Sequence, residues 1–251
     1  MEKPWSLYHI PAYNRHLIQG NMHFRVSADS FLLSQFFRVN RKCKSILEIG
    51  TGTAIIPILL SHSCISKIDT VEIQECMVEL ARKNVTLNAL DEQIKVHCFD
   101  ILEIKKHFAT ESFTHVLSNP PYFESTDACQ EKASEGVRVA KSETLFDFAK
   151  FIQVSHYALK SHGVLTFIHR SEYLEKIIST LNRYHFHISR LQFVYTQRTG
   201  GAKMVLVEAI KGEITQVKIG EPIYLNSQNA MLRLDDFESL ESAFENSKIQ
   251  I

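Results

Sequence analysis

From residue 45 onward the apolar positions alternate between two rhythms. Short apolar runs at 45–49, 67–73, 94–99 and 113–118 predict β-strands. Between them, apolar residues spaced at three and four predict helices over 53–61 and 75–89, the second carrying Met77, Leu80, Ala81, Asn84 and Leu87 near helical spacing. The pattern continues with a long helix over 144–159, a strand over 163–169, a helix over 172–184 and two strands over 189–195 and 203–210. The last strand has Met204-Val205-Leu206-Val207 between polar flanks, the length of a buried strand.

Strand–helix alternation predicts an α/β fold, a mostly parallel sheet with helices on both faces. Thr199-Gly200-Gly201, between the last two strands, predicts an antiparallel hairpin at one sheet edge. Residues 124–142 are polar and aperiodic and follow a Pro-Pro pair, so they are expected to form a loop, a candidate substrate lid. The expected organisation is a basic N-terminal segment over 1–44, a catalytic domain over 45–212 and an acidic extension over 213–251.

Composition narrows the class. With 251 residues, 45% hydrophobic and 22% charged, the chain has enough apolar material for a full core. Net charge is zero, so any surface for nucleic acid must be local. Charge is uneven: residues 1–45 carry seven basic residues (Lys3, Arg15, Arg25, Arg38, Arg41, Lys42, Lys44) against Glu2 and Asp29. Residues 213–251 carry three basic residues against seven acids. A basic N-terminal segment can hold a phosphate backbone or be simply a solvated surface; charge alone leaves both open. Five cysteines without a Cys-x-x-Cys pair argue against a disulfide framework or zinc site and suit a reducing cytoplasm. The twelve histidines lack metal-ligand spacing, so no metal is expected. The longest apolar run, 54–60, is too short to span a membrane, and the N-terminus has no signal-like apolar region.

The first predicted strand runs into Glu48-Ile49-Gly50-Thr51-Gly52-Thr53-Ala54. A glycine-rich turn after such a strand lets the backbone pass close to a nucleotide, and a side chain at Gly50 or Gly52 would occupy ligand space. Glu72 ends the second predicted strand, where an acid accepts both ribose hydroxyls of a nucleoside. Asp100 ends the third, where it can accept the amino group of an adenine ring. Each acid alone reads equally well as a helix cap; in register on successive strands, the set points to a nucleotide-type cofactor. Ala54, at the third glycine position, argues only weakly between a dinucleotide and another nucleoside ligand.

The fourth predicted strand leads into Asn119-Pro120-Pro121-Tyr122-Phe123, the most specific signal in the chain. An aromatic amine is a poor nucleophile because its lone pair is delocalised. The Asn119 side-chain oxygen and the Pro120 carbonyl can each accept one N–H of an –NH2 group, turning its lone pair toward a methyl donor and stabilising charge that develops on nitrogen. Pro120 and Pro121 fix the backbone and remove two competing amide donors. Tyr122, with Phe123 behind it, offers a flat face for a planar ring.

On these motifs the chain is similar to the class I methyltransferases of amino groups, which share the Asn-Pro-Pro-Tyr signature and a Rossmann-like seven-stranded sheet. More closely, it resembles the bacterial tRNA (adenine-N6) methyltransferases that modify the adenosine beside the anticodon of a valine tRNA. The resemblance covers residues 20–225. It includes Phe24-Arg25-Val26-Ser27-Ala28-Asp29-Ser30-Phe31-Leu32-Leu33, Val139-Ala140-Lys141-Ser142-Glu143, Ile168-His169-Arg170-Ser171-Glu172 and the Met204 to Ala209 stretch. It implies S-adenosyl-L-methionine as cofactor and the anticodon loop of a tRNA as partner. It also implies that the segment around Arg25, Asp29 and Ser30 folds over the cofactor, that Glu48, Gly50, Gly52, Glu72, Asp100 and Asn119 bind it, and that Asn119 to Tyr122 hold the adenine. Three departures stand out: Ala54 replaces a usual glycine, Lys141-Ser142 stands where Arg-His is usual, and the acidic tail after Leu234 has no counterpart.

Three other readings use the same motifs. DNA adenine methyltransferases usually need a target-recognition domain to find their sequence and flip the base, and no insertion here is large enough to be one. Enzymes that methylate a release-factor glutamine share the signature but typically carry an extra N-terminal helical domain, whereas 44 residues precede the first strand predicted here. A non-catalytic module that senses the cofactor or holds RNA would have no need of two aimed acceptors.

Overall fold

The computed structural model describes residues 5–20, 28–39, 42–64, 66–120, 148–214 and 216–225, and the backbone of 238–239. A twisted sheet forms its centre, in the order β5 (Ile94–Cys98), β4 (Lys67–Glu72), β3 (Ser45–Ile49), β6 (Phe113–Ser118), β7 (Leu159–Arg170), β9 (Met204–Lys211), β8 (Phe186–Tyr195). All these strands are parallel except β9, which runs antiparallel between β7 and β8. The short strands β10 (Lys218–Ile219) and β11 (Ile223–Tyr224) add to β8 in parallel. The seven predicted strands are therefore all present, and the predicted edge hairpin is β8–β9, with residues 218–224 laid along its outer side.

Period-two alternation divides the core into two layers. Ile46, Ile68, Leu117, Ile168 and Leu206 face one side. There they meet α1 (Ala28–Phe36), α2 (Ile55–Leu60) and α3 (Glu75–Leu87). Their strand neighbours Leu47, Val71, Val116, Phe167 and Val207 face α4 (Phe148–Ala158) and α5 (Leu174–Arg183) on the other. Because both faces are covered, strands such as β3 read as near-continuous apolar runs. The predicted helix over 144–159 is α4, which begins at Phe148; residues 144–147, and the candidate lid over 124–142, lie outside the described residues. β7 starts directly after α4 and is longer than expected, taking in 159–162 through a register shift opposite β6.

The N-terminal residues hold structure that periodicity had not indicated. β1 (Trp5–Ile10) and β2 (Arg15–Gly20) form an antiparallel hairpin, to whose outer strand β12 (Glu238–Ser239) adds. Ile10 and Leu17 join the core beneath α2 and α3. The other edge of β2 is bound by two asparagines one turn apart on α3. Asn84 Oδ1 accepts the Ile18 N–H at 2.6 Å, and its Nδ2 donates to the Ile18 carbonyl and to the Thr53 carbonyl, both at 3.0 Å. Asn88 repeats the pairing on His16, at 2.8 and 2.7 Å. β2 climbs along α2: Arg15 bonds Ser61 past the end of that helix, while Ile18 is tied through Asn84 to Thr53 before its start.

Candidate active site

Chain order reverses between β3 and β6: β4 and β5 are added on one side of β3, and β6 then pairs on the other. Open α/β sheets bind ligands at such a switch point, outside the carboxyl ends of the strands. Ile49 is in register with Ser118, and the Ser118 hydroxyl donates to the Ile49 carbonyl at 2.8 Å. The glycine turn and Asn119 therefore leave the sheet side by side.

Gly50, Gly52 and Ala54 have φ of 73°, 56° and 62°, three left-handed residues within five. This path is sewn to β4. Gly50 N–H and Thr51 N–H donate to the Val71 carbonyl at 2.9 and 3.2 Å, and Gly52 N–H donates to Glu72 Oε2 at 3.0 Å. A Cβ on Gly50 would meet no atom within 4 Å, so the turn exposes bare backbone to an open cleft. Ala54, fully buried at the departure from the usual glycine, adopts the left-handed conformation with its methyl group in the core. The other oxygen of Glu72, Oε1, accepts Ile73 N–H at 2.9 Å and Gln74 N–H at 3.0 Å. Glu72 thus braces the glycine turn and the turn that leads into α3 with one carboxylate, but it caps no N–H of the helix itself, whose N-cap Gln74 has no side-chain cap bond. Asp100 ends β5 next to it, since Phe99 N–H donates to the Glu72 carbonyl at 3.2 Å. Asp100 Oδ1 accepts Leu102 N–H at 2.9 Å and caps the 3-10 turn Ile101–Lys106.

Glu48 is fully buried under the turn. The Thr51 hydroxyl donates to its Oε2, and among the described residues its Oε1 has no hydrogen-bond partner. Burial pushes its carboxyl up to about 8, with the nearby Glu72 adding to the shift and the Thr51 hydrogen bond opposing it. The neutral acid is therefore favoured near pH 7, and with Oε2 accepting from Thr51 its proton falls on Oε1, which has no partner among the described residues.

Of the candidate residues, the structure brings together Glu48, Gly50, Gly52, Glu72, Asp100 and Asn119 on the carboxyl ends of β3 to β6. Asn119 is half-buried and Pro120 is buried. Asp29 and Ser30 open α1, which packs on α2, the helix leaving the glycine turn. Arg25, Pro121 and Tyr122 lie outside the described residues. Sequence reasoning missed Thr51, Asn84 and two apolar side chains, Ile73 and Leu102. These last are 48% and 50% exposed and follow the two acids on adjacent strands. An aliphatic residue one place after Glu72 and two places after Asp100 was the available signal, as was an amide among the apolar positions of α3.

A bare glycine turn at the switch point, with acids at the ends of the next two strands, suits a nucleoside ligand. Together with the sheet order and its single antiparallel strand, this defines a class I, S-adenosyl-L-methionine-dependent methyltransferase. Residues 23–186 match the family model "Methyltransferase small domain". The chain belongs to that family. It is 31% identical over 184 residues to the tRNA1(Val) (adenine(37)-N6)-methyltransferase of Phocaeicola vulgatus, covering 73% of this chain and 75% of that one. The enzyme of the same description in Bacteroides thetaiotaomicron is 26% identical over 185 residues, with the same coverage of 73% and 75%. Among solved structures, a predicted O-methyltransferase from Agrobacterium tumefaciens aligns with a TM-score of 0.63 at 21% identity, over 81% of this chain and 90% of that one. The M. jannaschii tRNA m1G37 methyltransferase aligns at 0.61 and 12% identity, over 85% of this chain and 58% of that one. These likenesses carry the fold. No helix among the described residues is long and apolar enough to cross a membrane.

Proposed function

We propose that the chain methylates N6 of an adenine in tRNA, specifically the adenosine beside the anticodon of a valine tRNA. The observation that carries this reading is the placement of Asn119, in register beside the glycine turn, with the Pro120 carbonyl next along the chain. The printed descriptions of the curated relatives support the substrate.

S-adenosyl-L-methionine supplies an electrophilic methyl group on a sulfonium centre. Gly50 and Gly52 leave room for it, Glu72 accepts its ribose hydroxyls and Asp100 its adenine amino group. Ile73 and Leu102 pack against the adenine faces, and the neutral Glu48 sets the floor of the turn. Asn119 Oδ1 and the Pro120 carbonyl each accept one N–H of the target amine. The lone pair then points at the donor, and both acceptors stabilise the positive charge growing on nitrogen. The product ammonium is acidic enough to lose its proton without a dedicated base. Tyr122 stacks on the target ring, and Pro121 stiffens the turn between. Arg25, Asp29 and Ser30 belong to the segment that covers the cofactor; β2 climbs toward the glycine turn and so delivers the chain to that end. In this organisation 45–212 is the catalytic domain, 1–44 its N-terminal cover and 213–251 an acidic extension.

The test is transfer of a radiolabelled methyl group to total RNA, DNA and protein extract, followed by digestion of the labelled fraction. N6-methyladenosine in the tRNA fraction is the expected product. Label in glutamine of a protein fraction, or in DNA alone, would overturn the assignment.

A further inference from the structure

The N-terminal segment carries the chain's excess of positive charge, but three of its described basic residues, Arg15, Lys42 and Lys44, sit at the end away from Asn119. Lys44 N–H and Ser45 N–H bond Thr114 at the start of β6, and Arg15 bonds Ser61 beyond the end of α2. Arg15, Lys42 and Lys44 therefore lie by the amino ends of the strands, a strand's length from Gly50 and Asn119.

The catalytic edge has a different basic feature. β7 and β9 pair Arg170 with Met204, so the turn between β8 and β9 rises from the same edge as Asn119. Arg170 is one strand from β6 and Lys203 two, which at the usual strand spacing is about 10 Å sideways. The turn reads Thr196-Gln197-Arg198-Thr199-Gly200-Gly201-Ala202-Lys203 and contains no acid. Residues 196–201 and Lys203 are exposed. Neither the Arg198 nor the Lys203 side chain has an acidic partner among the described residues. At the base of the turn, Arg170 lies 3.4 Å from Glu172.

The turn is also held in place. Lys203 N–H donates to the Val194 carbonyl at 2.8 Å and Ser171 N–H to the Lys203 carbonyl at 3.0 Å, while the Ser171 hydroxyl donates to the Ala202 carbonyl. Gly201 has no left-handed φ, and a Cβ there would meet nothing within 4 Å. Nothing among the described residues requires glycine at that position. What it provides is bare backbone N–H on a fixed cationic turn, which suits close approach by a phosphate.

We infer that the β8–β9 turn, through Arg198, Lys203 and its glycine backbone and with Arg170 at its base, grips the RNA backbone beside the target nucleotide. This rests on the reading of the chain as a tRNA methyltransferase. The test compares Arg198→Glu/Lys203→Glu with Lys42→Glu/Lys44→Glu, using an in vitro transcribed valine tRNA. RNA affinity is measured over a salt series, methyl-transfer KM and kcat for RNA are determined, and cofactor affinity is measured separately. The turn variant should bind RNA at least about tenfold more weakly, and its log–log salt slope should flatten by about 1.5, two phosphate contacts' worth. Its cofactor affinity should be unchanged. The milder Arg198→Ala/Lys203→Ala should move the same way by about threefold, which separates lost contact from a folding defect. A turn variant within twofold of wild type, or an equal loss in the Lys42/Lys44 variant, would overturn the surface while leaving the tRNA assignment intact. A wild-type protein that transfers methyl to no RNA would overturn both.

Discussion

Replacing Glu48 with glutamine isolates one buried proton. In the native protein the Glu48 carboxyl is raised from 4.5 to about 8, chiefly because burial penalises its charged form. In the unfolded chain it ionises above about 4.5. A raised native value means that stability is fully present below the unfolded value and is lost as pH climbs to the native one. The slope is at most about 1.4 kcal/mol per pH unit, and the full loss approaches about 5 kcal/mol by pH 8. Glutamine carries no such proton. Its Oε1 can still accept the Thr51 hydroxyl, but its amide nitrogen puts two unpartnered N–H donors where the neutral acid has one unpartnered O–H, at a cost of about 1–3 kcal/mol. The two effects have opposite signs and only one depends on pH. Glu48→Gln should therefore be less stable than wild type at about pH 5, cross it near about pH 6 and be more stable at about pH 8. Urea denaturation of both proteins from pH 5 to 8.5 measures the difference, in which all other titrations common to the two cancel. A difference that stays flat across that range would refute a neutral Glu48.

Asn119→Ala should cut turnover by about 100-fold or more while cofactor affinity stays within a few-fold, since only the target amine loses an acceptor; full turnover in steady-state assays would reject its role. Glu72→Ala removes the acceptor of three N–H groups, at Gly52, Ile73 and Gln74. It should weaken cofactor binding by at least about tenfold in calorimetry and cost about 1–2 kcal/mol of stability; a stability loss with unchanged affinity would reduce Glu72 to a brace of the two turns. Asn84→Ala strands the Ile18 N–H and the Ile18 and Thr53 carbonyls in a buried site and should destabilise by about 3 kcal/mol. Asn88→Ala, half-buried, should cost about 1 kcal/mol because water replaces the lost amide; equal midpoints for the two variants would contradict the assignment of the burial difference.

The central sheet was legible because its strands are buried on both faces, and nothing but a doubly covered strand tolerates Ile46-Leu47 beside Val116-Leu117. The site was legible where chemistry sits on strand ends: Gly50, Glu72, Asp100 and Asn119 converge because parallel strands finish on one edge. The β1–β2 hairpin was not, because its strands interleave His9, Arg15, His16 and Gln19 with apolar residues and the free edge of β2 is satisfied by side chains instead of a neighbouring strand. The short strands β10 and β11 were hidden for a related reason. Two residues carry no period, and only the neighbouring β8 makes them strands. Charge misled in one respect: net charge over 1–45 says nothing about direction, and the fold sends Arg15 and Lys44 to the end away from Asn119.

The paired asparagines act as a ruler. Four helical residues advance about 6.0 Å along α3, and two extended residues advance about 6.8 Å along β2. Amides at 84 and 88 can therefore read alternate peptides of the hairpin, at 16 and 18, in only one alignment. A shift by one residue would present N–H and C=O groups pointing the other way and turn Leu17 out of the core. A single residue added within 16–18 or 84–88 should therefore unseat the hairpin, whose alignment on the core is fixed by a helix.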